Sequence, residues 1–430
     1  MRLALNKKPF IAQSLALSVA ALMMTTTHAA TKEQQELAQL RAEVAELKAL
    51  MQQQQQVQQQ QAVQIQQVKT QPAPVKAESP LSSFKSKSGA DINLYGFVRG
   101  DANYIIEGAN NDFNGVAKVG GTGTNDPASV KDKLLATAKT TRLGLDFNTN
   151  VAGDNKLGGK VEVDFAGSTT DSNGALRIRH AYLTYNNWLF GQTTSNFLSN
   201  HAPEMIDFGT NVGGGTARIP QVRYGFNLAP ATKLFISAEE GDSSGTNIKY
   251  SVPNLTAKLT QGFADGKGSV SARALVENYK SADDSDTAWG LAAGVNYQVM
   301  DRLKISADVS YVDGNSNYLY GSNSAYVVNT SNGKIAQNEA FGVQVGGTYK
   351  FNEKLRSTLA YGALFADDST DYATSNPTAN EEVYQAWINF IYSPVKPLDL
   401  GVEYINGKRD TFAGDSYKDN RVGLMAKYSF

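Results

Sequence analysis

Between Asp91 and Phe430 the chain repeats with a period of two, and that period limits its possible folds more than any other feature. At the C-terminus Val422, Leu424, Ala426, Tyr428 and Phe430 share one side, and Arg421, Gly423, Met425, Lys427 and Ser429 the other. Phe341, Val343, Val345, Gly347, Tyr349 and Phe351 oppose Gln344, Gly346, Thr348 and Lys350. Leu303, Ile305, Ala307, Val309 and Tyr311 oppose Lys304, Ser306 and Asp308. Successive side chains of a strand point to opposite faces, so each run has one apolar and one polar face. Soluble antiparallel sheets alternate too, so the connections have to decide.

Seven connections are short, near Gly153, Asn187, Pro230, Gly266, Met300, Asn352 and Val395. Eight are longer and polar, near residues 107–134, 167–173, 194–216, 240–254, 280–286, 313–337, 366–380 and 408–419. Together they join sixteen strands; the least marked are 255–263 and Trp188 to Thr193. Short turns at one end and long loops at the other are the mark of an outer-membrane barrel. A bilayer leaves no backbone group unpaired, and only a closed sheet has no edge. The expected fold is therefore all-β, a sixteen-stranded antiparallel transmembrane β-barrel over 91–430 with a water-filled lumen. Tyr349, Phe351, Phe390, Tyr392, Tyr428 and Phe430 end their strands and would form an aromatic girdle.

The N-terminus fits that destination. Arg2, Lys7 and Lys8 precede an apolar stretch from Ile11 to Met24, followed by Thr27-His28-Ala29. This is the anatomy of a secretory signal peptide, assigned to 1–29, and the apolar stretch is too short for a membrane anchor. Residues 30–70 contain no Gly or Pro. Leu37, Leu40, Val44, Leu47, Met51, Gln54, Gln58, Gln61, Ile65 and Val68 step alternately by three and four. That seam implies an α-helical coiled coil ~48 Å long in the periplasm, weakened by three successive Gln. Pro72, Pro74 and Pro80 mark 71–90 as a linker that ends the helix.

Charged residues are 19% of the chain, below the usual ~25%. The formal net charge is −1, and losing Arg2, Lys7 and Lys8 with the leader makes it −4, so no nucleic-acid partner is implied. There are no cysteines, which removes disulfide frameworks and thiolate chemistry. His28 leaves with the leader, His180 falls on the lipid-facing parity of its strand, and His201 stands alone in a loop. No metal-ligand spacing, phosphate loop or nucleophile elbow occurs, so neither catalysis nor a cofactor is expected.

In a barrel, the function lies in the side chains that narrow and charge the lumen. Parity sends Leu94, Gly96 and Val98 to lipid, so Arg99 and Asp101 point inward. Leu143, Leu145 and Phe147 point outward, leaving Arg142 and Asp146 inside. Val161, Val163 and Phe165 leave Lys160, Glu162 and Asp164 inside, and Ile178 and Tyr182 leave Arg177 and Arg179. Arg223 and Arg273 are inward on later strands. A row of guanidinium groups would attract anions and bind carboxylates bidentately. Alternatively each Arg pairs with Asp101, Asp146, Glu162 or Asp164 and only braces the wall.

The opening run Asp91-Ile-Asn-Leu-Tyr-Gly-Phe-Val-Arg-Gly-Asp101 resembles the DcaP-like porins, as do Thr141-Arg-Leu-Gly-Leu-Asp146, Leu176-Arg-Ile-Arg-His-Ala-Tyr-Leu-Thr184 and the terminal Tyr428-Ser-Phe430. Each motif is common among porins; their order behind a coiled coil is more specific. The resemblance covers the mature chain. It implies a homotrimer in the Gram-negative outer membrane, a third external loop folded into each lumen, and passage of small anions such as dicarboxylates. It also makes the C-terminal Phe an assembly signal. The loop from Ser195 to Ala217, with Glu204, Asp207 and Gly213 to Gly215, becomes the constriction candidate, its acids set against the Arg wall. Outer-membrane lipid and lipopolysaccharide are the implied surroundings, and the coiled coil could reach toward peptidoglycan. A non-selective diffusion pore and a plugged structural or adhesive barrel are the competing functions. A lumen face of Gly, Ser, Thr and charge favours an open channel.

Overall fold

The computed structural model describes residues 83–87, 89–120, 129–167, 174–199, 201–241, 248–249, 252–314, 318–329 and 331–430. The stretches read as signal peptide and coiled coil, and most of the one read as linker, lie outside these residues.

The elements in chain order are β1 (Ser83–Lys85), β2 (Asp91–Ala109), β3 (Ser129–Thr137), β4 (Arg142–Val151), β5 (Asn155–Gly167), β6 (Ala175–Tyr185) and β7 (Trp188–Thr194). Then come β8 (Arg218–Ala229), β9 (Thr232–Glu239), β10 (Asn254–Phe263), β11 (Gly268–Lys280), β12 (Ser285–Met300) and β13 (Leu303–Asp313). A hairpin of β14 (Tyr326–Val328) and β15 (Ile335–Gln337) lies within a loop. β16 (Glu339–Lys350), β17 (Leu355–Ala366), the short helix α1 (Asp371–Ser375), β18 (Asn380–Val395), β19 (Leu398–Thr411) and β20 (Ser416–Ser429) complete the chain.

From β4 on, neighbouring barrel strands pair antiparallel, β13 with β16 across the β14–β15 hairpin, and β20 pairs with β2 to close the sheet. β3 and β4 both pair with β2, β3 along Asp101–Ala109 and β4 along Asp91–Phe97, so they are two pieces of one barrel strand. Counted that way, the barrel has sixteen strands, as the spacing of turns implies. The C-terminal residue locks the seam: Gly96 N donates to Phe430 O at 3.1 Å, and Phe430 N to Gly96 O at 3.0 Å.

Three boundaries differ from the sequence reading. Part of the stretch read as linker is a strand, since Ser83–Lys85 pair with Asp91–Asn93. The first long loop is shorter than 107–134 because β2 runs to Ala109 and β3 starts at Ser129. The eighth, expected over 408–419, shrinks to 412–415 because polar residues there still pair, as in Arg409 with Tyr417. Charged strand ends carry no apolar signal, so alternation cannot mark them.

The apolar faces point outward: Leu143, Val161, Leu291, Val309, Val345, Leu359, Val402 and Leu424 are all exposed, with Tyr349, Phe351, Phe390, Tyr392, Tyr428 and Phe430 at the strand ends. So large an apolar belt suits lipid rather than water. The inside is polar: Thr358, Gln385, Asn389, Glu403, Asp419 and Arg421 are 0% exposed. The main apolar cluster inside lies between wall and loops, where Phe197, Leu198 and Val212 meet Val116, Tyr318, Leu319, Leu364 and Val383.

A charge placed mid-belt tests this orientation. Val309→Arg should cost about 2–4 kcal/mol if the site lies near the bilayer midplane. Equilibrium unfolding of vesicle-inserted protein would show it, and a cost near zero would mean that β13 does not face lipid there.

Candidate functional site

The loop 195–217 between β7 and β8 enters the lumen and follows the inner wall. Asn196 N donates to Glu239 Oε1 on β9 at 3.0 Å, and Lys258 Nζ on β10 donates to Leu198 O at 3.2 Å. Arg273 on β11 donates to Phe197 O at 3.1 Å, and His201 Nε2 meets Ser271 Oγ at 2.9 Å. Further on, Gln344 on β16 donates to Asn211, and Val212 N donates to Gln385 on β18. Trp387 and Asn389 both donate to Glu204 O.

The loop's apex is fixed most firmly. The Glu403 carboxylate on β19 accepts Ile206 N at 2.9 Å, Asp207 N at 2.8 Å and Asn389 Nδ2 at 3.0 Å. Arg99 donates to Ile206 O and lies 4.3 Å over the Phe208 ring. Asp207 accepts Asn114 N from the first long loop and Gly209 N from its own turn. Gly213 has φ +77°, and a Cβ there would press on the Val343 and Ala363 carbonyls, so the wall admits only glycine. The loop 314–338 lies on top, exchanging Gly213 N to Tyr320 O at 3.2 Å and Tyr320 N to Gly214 O at 2.7 Å.

The loop's two acids do not stand free against an Arg wall. Glu204 is bound by Arg356 of β17 at 2.8 Å. Asp207 is 1% exposed, and burial, the largest effect, raises its carboxyl to about 6; Arg421 and the Asn114 and Gly209 amides oppose that rise, and Asp419 adds to it. His201 is not a solvated loop histidine but 2% exposed. Burial, then Arg273, Lys258 and Lys304, lowers it to about 4, so it is neutral near pH 7.

The seven cations named from the sequence have different tasks. Arg99 binds Asp101 and Arg273 binds Asp308, both at 2.6 Å; both Arg are 4% exposed and hold the loop. The others lie on the wall of β4–β8. Arg142 Nε is 3.4 Å from Glu162, and Lys160 is 3.1 Å from Asp146 and 4.5 Å over the Tyr95 ring. Arg177 grips Asp164 with two bonds, of 2.9 and 2.7 Å. Arg179 reaches both Glu162 at 2.8 Å and Asp164 at 2.9 Å. Arg223 has no carboxylate within ion-pair reach among the described residues; it meets Asn196 Oδ1 at 3.5 Å and the Phe235 ring at 5.5 Å.

A β-bulge corrects the parity of β6. Val163 pairs with Ile178 and Glu162 with His180, so Arg179 is the extra residue. Beyond it the faces exchange. His180 and Tyr182, expected toward lipid, lie opposite Glu162 and Lys160 on the lumen side. His180 Nδ1 meets Thr193 Oγ1 at 2.9 Å.

Sequence reasoning also missed Arg218, the first residue of β8, paired with Thr194 where the loop returns to the wall. Its strongest charged neighbours are Arg179, Arg142 and Arg177, offset by Glu162. Parity did not reach it because it stands at a strand end. With it, this wall carries Arg142, Lys160, Arg177, Arg179, Arg218 and Arg223 against Asp146, Glu162 and Asp164.

Comparison with known proteins agrees with the architecture. The family described as DcaP outer membrane protein matches residues 23–430. The outer membrane channel DcaP of Acinetobacter baumannii is 70% identical, with TM-score 0.77, over 81% of this chain and 100% of that one. An anion-selective porin from Comamonas acidovorans shares 12% identity at TM-score 0.52, over 79% of this chain and 100% of its own. The trimer form of OmpT from Vibrio cholerae shares 14% at TM-score 0.50, over 79% and 99%. At such identities the last two speak for the fold alone. No curated protein matches.

Glu403→Ala should leave two buried backbone N–H donors unmet, at about 1–3 kcal/mol each, and remove one bond from Asn389. A lower Tm and noisier single-channel current are expected; unchanged values would mean that the apex is held elsewhere. The pH dependence of Asp207 has a definite sign. Its carboxyl rises from 3.8 to about 6 in the folded protein. The stability it contributes is therefore full below about pH 4 and lost as pH rises through about 6. Asp207→Asn should shrink the Tm difference between pH 5 and pH 7.5, measured by circular dichroism.

Proposed function

The chain belongs to the DcaP outer membrane protein family, and we propose that this outer-membrane channel serves passive uptake of small hydrophilic anions, dicarboxylates among them. The observation that carries this reading is the wall of β4–β8, where six cations face three carboxylates. The loop spends its own acids elsewhere, Glu204 on Arg356 and Asp207 in the interior, so they do not cancel that excess. Low-dielectric walls concentrate such a field, and guanidinium forks match carboxylates. Arg177, the most open member with 45% of its side chain exposed, would meet solute first.

Assembly as a homotrimer, embedded in lipid and lipopolysaccharide, belongs to the same reading. It is supported by the family resemblance and by the apolar outer belt.

The reversal potential of the purified protein in a planar bilayer under a KCl gradient tests the proposal. A potential favouring chloride is expected, and Arg142→Ala combined with Arg179→Ala should move it toward zero. A wild-type potential near zero or favouring potassium would leave a porin without anion preference. No conductance at all would point to a plugged structural barrel.

A further inference from the structure

The charged wall is incomplete as a set of hydrogen bonds. The Nε–H groups of Arg142 and Arg218 are both buried atoms with no hydrogen-bond partner. Glu162 lies 3.4 Å from Arg142 Nε, but not in hydrogen-bonding geometry. The acids nearby are already engaged: Glu162 accepts from Arg179 and Tyr95, and Asp164 from Arg177 and Arg179. Arg218 makes no ion pair among the described residues, although three guanidinium groups are its main charged neighbours. Buried donors are nearly always satisfied in folded proteins, by protein, water or a bound ion. Like charges that outnumber the acids among them repel, and an added anion relieves that repulsion.

We propose that Arg218, with Arg142 and Arg179, forms an oxyanion-binding subsite in the channel wall that receives a carboxylate or phosphate group of a passing solute. This rests on the anion-uptake reading and deepens it by naming where the anion pauses. The place suits the task, because β8 begins there as the constriction loop rejoins the wall, so a solute clearing the loop passes Arg218. The guanidinium groups of Arg142 and Arg218 still have N–H donors to give, and an oxyanion would add negative charge where cations outnumber carboxylates. Lysine would keep the charge at position 218 but lose the planar fork.

The test is block of chloride current through single channels by malonate and, separately, by inorganic phosphate. It compares the wild type with Arg218→Gln and Arg218→Lys; heat-modifiable migration on gels shows that each variant has folded. The expected result is concentration-dependent block of the wild type, weakened about tenfold in Arg218→Gln and less in Arg218→Lys. Block by malonate alone assigns the subsite to carboxylates; block by both assigns it to oxyanions generally. Equal block in all three proteins overturns the subsite and, with a reversal potential that still favours chloride, leaves the uptake reading intact. Absence of block in the wild type also overturns it. A potential that does not favour chloride overturns the uptake reading instead, and Arg218-dependent block would then stand alone. Should Arg218→Gln fail to fold, the lysine variant decides, since a subsite that needs the fork must bind more weakly there.

Discussion

A hydrocarbon bilayer offers no hydrogen-bond partner, and the rest of this structure follows from that. A strand that faces lipid must pair on both sides, so the sheet closes where β20 meets β2 and Phe430 meets Gly96. Closure sends the apolar residues outward and leaves the interior to polar ones. A loop that enters such an interior finds carboxylates, amides and guanidinium groups waiting for its backbone. Glu403, Gln385 and Arg99 satisfy the loop's N–H and C=O groups as strands would elsewhere.

The lumen charges divide accordingly. On β9–β19 and β2 they hold the loop: Arg99, Arg273, Arg356 and Glu403 are all engaged with it. On β4–β8 they pair mainly with one another, as Arg177 and Arg179 do with Asp164. The arrangement implied by the sequence, loop acids set against a basic wall, gives way to loop acids engaged elsewhere, Glu204 with Arg356 and Asp207 with backbone amides, beside a wall where cations outnumber carboxylates.

The strand count and turn positions were legible because period-two alternation and turn residues are local signals. The family resemblance likewise rested on runs such as Asp91 to Asp101. On β4 and β5 the alternation runs without interruption, with Arg142 opposite Asp164 and Asp146 opposite Lys160. It failed on β6, because one extra residue at Arg179 exchanges the faces beyond it and nothing in Arg-Ile-Arg-His announces an insertion. The partners of Glu204 and Asp207 were illegible for another reason. Arg356 and Asn114 lie 152 and 93 residues away, and only the closed barrel brings them together.

That separation orders events in time. The amides of Ile206 and Asp207 wait for a carboxylate 197 and 196 residues further along the chain, on the next-to-last strand. The loop can therefore be seated only once β19 has joined the wall, in whatever order the strands insert. An unfinished barrel cannot own a finished constriction. Any intermediate that conducts would do so through a wider and less discriminating bore, so narrowing of the channel marks completion of the wall.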